Sequence, residues 1–147
     1  MKKIKFFTIF LYLISLSNIL IAENNISLKD YLQKKDIEDG STQIYLLSRC
    51  SAVYTYASAA TLKTDSVNSK NFIQVANNLL FKSVELRVID YKEKLEVAQK
   101  NASDERKQLF EIYSSEGKKN WVLNKSYFKG SYIAEDMSIC AKLVEDK

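Results

Sequence analysis

The 147-residue chain has no histidine and no proline, and only three glycines, two cysteines and one tryptophan. Each shortage excludes something. Without histidine there is no Ser-His-Asp or Cys-His catalytic arrangement. With two cysteines and no histidine the usual four-ligand zinc sets cannot be assembled, so no metal site is expected. No glycine-rich phosphate loop or dinucleotide fingerprint is present, and no cofactor is expected. The scarcity of proline and of glycine (Gly40, Gly117, Gly130) argues against the many tight turns of a small β-sandwich. What remains is a chain with few helix breakers.

The chain opens "MKKIKFFTIFLYLISLSNILIAENN". Lys2, Lys3 and Lys5 precede an apolar run from Phe6 to Ile14, and Ala22 offers a small residue before Glu23. That is the layout of a secretory signal peptide over residues 1–22, and it predicts a periplasmic or secreted mature protein. Leu20 sits where a small residue is preferred, which keeps open the alternative of an uncleaved anchor and a membrane-held assembly subunit. The apolar core is shorter than the ~20 residues a spanning helix usually needs. No cysteine near Ala22 offers a lipid attachment point.

Removing this segment changes the charge. The whole chain has 22 basic and 18 acidic side chains; three lysines leave with the signal and no acid does. The mature net charge is therefore 19 against 18, or +1. That is no footprint for nucleic acid, and none is expected as a partner.

Punctuation and apolar period predict an all-α protein, a bundle of about four helices. Residues 23–40 read as an N-terminal segment with a short helix capped by Ser27 and ended at Gly40. Residues 41–147 read as the helical domain. Ser41 or Thr42 caps its first helix, whose face is Leu46, Leu47, Cys50, Val53, Tyr54, Ala57 and Ala60. The small residues around Ser51, Ala52 and Ala57 invite close approach by a second helix. The strongest stripe runs Ile73, Ala76, Leu80, Val84, Val88, Tyr91, Leu95 and Ala98, and predicts a helix from about Asn68 to Lys100. "KNASDE" is the expected break, with one longer, bent helix as the alternative. Between Gly117 and Gly130 a loop is expected, with room for one short helix. A last helix follows, carrying Ile133, Met137, Cys140 and Val144.

Both cysteines fall on apolar faces of these helices. In an exported chain they read as one disulfide, Cys50–Cys140, tying the first long helix to the last. The loop so closed is about 90 residues, for which the chain-entropy estimate is ~4–5 kcal/mol. Arg49 lies beside Cys50, and Asp136 one turn before Cys140; if the bridge forms the two can meet as a structural ion pair.

Two features bear on function. Glu85, Asp90, Glu93, Glu111, Glu135 and Asp136 are the acids an enzyme without histidine would draw on, for instance in glycan hydrolysis. Nothing in their spacing singles out a pair, no residue is assigned a catalytic role, and solvated helix faces are the plainer reading. The second feature is Lys118 to Tyr132, with Lys118, Lys119, Lys125 and Lys129, no acid, and Trp121, Tyr127, Phe128 and Tyr132 interleaved. Lysines with aromatics suit an anionic glycan or a membrane surface. The plainer reading, favoured on sequence grounds, is that Trp121 and Phe128 plug the end of the bundle and the lysines are solvated. The sequence therefore points to a small exported helical binding protein (an adaptor, inhibitor or envelope-stress component) contacting another envelope or secreted protein. The alternative is a carboxylate-dependent enzyme acting on cell-wall glycan.

Overall fold

A computed structural model of the chain describes residues 26–145, and every described element is a helix. The signal segment and its cleavage point lie outside the described residues. The helices are α1 (Leu28–Leu32), α2 (Gly40–Thr61), α3 (Ser66–Ile89), α4 (Leu95–Asn124) and α5 (Tyr132–Glu145).

Three of the starts are set by side-chain caps. Ser27 Oγ accepts from the Asp30 N–H at 3.1 Å and donates to the Asp30 carboxylate at 2.9 Å, which fixes α1. Asp39, rather than Ser41 or Thr42, caps α2 by accepting from the Thr42 N–H at 2.9 Å. Gly40 thus opens α2 instead of closing the preceding segment. Asp65 caps α3 in the same way, from the Asn68 N–H at 3.0 Å.

α2 is the central helix. Thirteen of its residues are buried, on more than one face, and it packs against α3, α4 and α5. Small side chains allow the closest of these packings. Ser51 Oγ donates to the Ala76 carbonyl at 2.7 Å, and Ser69 Oγ to the Ser58 carbonyl at 2.9 Å. The core gathers Leu28, Leu46, Val53, Leu79, Leu109, Tyr113 and Ile133 about this helix.

The third predicted helix is corrected in both length and break. α3 stops at Ile89, and the chain reverses through Asp90–Lys94, with Lys92 in the left-handed region at φ 56°. "KNASDE" breaks nothing and lies inside α4. The apolar stripe concealed the reversal because both arms of the hairpin carry it: Val84 on α3 packs against Ala98 and Ala102 on α4 in one small cluster. Tyr91 and Leu95, which the stripe placed in the core, are exposed at the turn.

α4 runs 30 residues, roughly 45 Å at 1.5 Å per residue, straight through Gly117. Residues 118–124, expected as loop, are its last turns. It ends where Lys125 turns left-handed (φ 53°) and its N–H returns to the Trp121 carbonyl at 3.0 Å. The buried Asn120 side chain then donates to the Ser126 and Lys129 carbonyls, both at 2.8 Å, and pins the following loop to the helix.

Candidate functional site

The first candidate was the pair flanking the cysteines. Cys50 and Cys140 are joined, with Cα atoms 5.4 Å apart. Beside the bridge, Arg49 and Asp136 are wholly buried and meet at 2.9 Å between Nη2 and Oδ2. A buried guanidinium needs all its donors placed. Arg49 Nε donates to the Tyr113 hydroxyl (2.8 Å), Nη1 to the Tyr45 hydroxyl (2.9 Å) and Nη2 also to the Ile26 carbonyl (2.6 Å). Asp136 accepts from the Tyr113 hydroxyl at 2.5 Å and from the Leu28 N–H at 2.7 Å. The Tyr132 and Tyr113 rings lie 5.8 and 5.4 Å from the guanidinium carbon.

Burial is the largest influence on each titrating group here. It pushes the Tyr113 phenol well above its ordinary value and Tyr132 up to about 12. It raises the Asp136 carboxyl as well, against the opposing pull of Arg49 and the Tyr113 and Leu28 hydrogen bonds. For Arg49 burial acts against the charge, but Tyr113, Tyr45 and Asp136 outweigh it and hold the guanidinium pKa raised. The cluster joins α1, α2, α4 and α5, and its Arg49, Tyr113 and Asp136 side chains are closed off from solvent. Sequence spacing found Arg49 and Asp136. It missed Tyr45, one turn before Arg49 on the same helix, and it missed Tyr113 and the backbone of residues 26–28, which come from two further segments.

The second candidate, Lys118 to Tyr132, is divided by the fold. Phe128 turns inward, edge-on to Tyr56 at 5.8 Å, and is half-buried against the core. Tyr132 faces Tyr113 and Arg49, as described. Trp121 stays 44% exposed and stacks on Tyr127 at 4.6 Å, with ring planes 18° apart. Lys118, Lys119, Lys125 and Lys129 are all exposed. Thus Trp121 does not plug the bundle end, whereas Phe128 packs there. Val122 and Leu123, which sequence reasoning passed over, are 69% and 78% exposed. So is Leu62, at 60%, just past the end of α2. With about 100° between successive helix positions, inward-facing Asn120 puts Trp121 and Leu123 on opposite flanks and Val122 on the outer side.

The six acids scatter. Asp136 is closed within the buried cluster. Glu135 pairs with Lys29 at 3.2 Å on the surface. Glu93 pairs with Arg87 at 3.5 Å, and Arg87 also reaches Glu105 at 2.7 Å, whose carboxylate accepts from Ser48 Oγ. Asp90 and Glu111 are exposed. Glu85, beside Lys82, borders a shallow groove of about 360 Å³ between α3 and the end of α5, walled by Val75, Leu79 and Leu143. Among the described residues no helix is long and apolar enough to cross a membrane, and no group of three acidic or cysteine side chains is set to hold a metal ion. Comparison of the chain with family models, with curated proteins and with solved structures gave no match.

Proposed function

We propose that the chain is a small exported binding protein, a rigid helical scaffold in the role of adaptor, inhibitor or envelope-stress component. Its working surface is the end of the bundle where α2 and α4 finish. One observation carries this reading: Leu62, Trp121, Val122 and Tyr127 are left in solvent at that end, on a scaffold held by a buried disulfide and a buried ion pair. Single exposed apolar residues are ordinary, but a group of them rimmed by lysines fits a contact surface. The reactive-looking groups fit the same reading, since Arg49 and Asp136 are spent on each other. The charged start of the chain supports export.

A photo-crosslinking residue at position 122, in the native cell, tests the reading. Crosslinks are expected there and not from a control at Lys107, and Trp121→Ala should remove them while the protein stays folded. Equal crosslinking from both positions would overturn it.

A further inference from the structure

We propose that the end of the bundle formed by α2 and α4 docks on an anionic lipid surface, with Lys63 and Lys118 taking the headgroup charge. This deepens the binding reading above and rests on it. α2 and α4 run in the same direction, since Ser48 meets Glu105 and Tyr56 meets the α4 backbone at Gly117. Their C-terminal ends therefore lie together. Between them is a shallow concavity of about 480 Å³, bordered by Leu62, Lys63, Phe110, Ser114, Lys118 and Tyr127. Its lining includes two lysines and no carboxylate. Neither lysine is ion-paired among the described residues. Lys125 serves differently: its ammonium lies 3.5 Å from the Val122 carbonyl, at the negative end of α4.

The rim decides between anionic partners. A soluble polyanion would need the lysines and little else. Here the lysines are flanked by Leu62, at 60% exposure, Val122, at 69%, and the stacked Trp121–Tyr127 pair. Aromatic rings with a polar edge favour the interfacial layer of a bilayer, where aliphatic neighbours find acyl chain and lysines find anionic headgroups. The net charge of the mature chain is only +1, so attraction to such a surface must come from this local excess and must be directional.

Trp121 is the only tryptophan in the chain, so its emission reports on this end alone. The mature full-length protein is titrated with phosphatidylcholine vesicles, with the same vesicles containing phosphatidylglycerol, and with dextran sulfate as a soluble polyanion. A blue shift of Trp121 emission and co-sedimentation are expected with the anionic vesicles and not with pure phosphatidylcholine. Salt should weaken both. Lys63→Gln with Lys118→Gln should weaken binding roughly tenfold or more, as expected for two basic residues at an anionic leaflet. Leu62→Ser with Val122→Ser should weaken binding too. All these residues are exposed, and an unchanged melting curve verifies each variant. Absence of binding to anionic vesicles would overturn the proposal. So would a response to dextran sulfate equal to that of vesicles and indifferent to Leu62→Ser and Val122→Ser, which would mark a polyanion site. If vesicles fail while position 122 still crosslinks a protein in cells, the lipid proposal falls and the binding reading stands; if both fail, both fall.

Discussion

Arg49 and Asp136 are 87 residues apart in sequence, and face each other at 2.9 Å with no solvent contact, directly beside the Cys50–Cys140 bridge. Covalent and ionic links thus cross one helix interface at one point. Removing one partner strands the other charge in the interior, so Asp136→Leu alone should cost about 3–5 kcal/mol. The double change Arg49→Met with Asp136→Leu should cost less than the sum of the two single changes, because it strands no charge. Chemical denaturation of the three variants checks this. A strictly additive cycle would show that the pair is not coupled.

The bridge itself should be complete in the mature protein. Non-reducing peptide mapping should recover one Cys50–Cys140 pair and no free thiol. Cys50→Ala or Cys140→Ala should cost about 2–5 kcal/mol, as for native disulfides of small secreted domains. Intact mass should place the mature start at or near Glu23. A mass that retains residues 1–22, with the protein in the membrane fraction, would instead favour an anchored chain.

Acid stability should reveal the helix caps. Asp39 is held below the ordinary carboxylate value of 3.8 first by Ser41 and then by the Thr42 N–H, and Asp65 first by the Asn68 N–H and then by its side chain. A lowered folded pKa means stability fully present above 3.8 and lost as pH falls through the folded value. Asp136, whose pKa is raised, contributes with the opposite sign: its share is greatest below 3.8 and fades as pH rises through the folded value. The caps by themselves lower the melting temperature as pH falls below 3.8, against the opposing share of Asp136. The combined Asp39→Asn and Asp65→Asn variant, which keeps cap acceptors that do not titrate, should fall less steeply. Identical slopes would mean that the caps do not govern acid unfolding.

The legible parts of this fold are those written in local period or in cysteine count. The α2 face, the terminal helix and the Cys50–Cys140 pairing follow from spacing and from there being just two cysteines. Asp90–Lys94 was illegible because the turn has neither glycine nor proline, and the stripe passes through it unbroken. Gly117 misled in the other direction. It reads as a helix end, yet it lies inside α4 because Tyr56 occupies the space a side chain would take. At the candidate surface, Trp121 and the lysines were visible as residue types. The contribution of Leu62 and Lys63 was not, because it depends on α2 and α4 finishing side by side, some 60 residues apart in sequence.

Gly117 supports a last prediction, in which two effects of opposite sign compete. Helix propensity alone makes Gly→Ala favourable by about 1 kcal/mol in a helix interior. The added methyl, however, would overlap the Tyr56 hydroxyl and lie 2.6 Å from Cζ of that ring. Tyr56 is buried, edge-on to Phe128 at 5.8 Å, and its hydroxyl donates to the Tyr127 carbonyl at 3.2 Å. It is not a free end that can swing aside. Overpacking of this kind typically costs 1–3 kcal/mol, about enough to exceed the propensity gain. Gly117→Ala should therefore lower the melting temperature. Since Tyr56 also holds the loop bearing Tyr127, the variant should shift Trp121 emission through the stacked Trp121–Tyr127 pair. A rise in melting temperature with unchanged emission would show that α4 and Tyr56 are not in close contact.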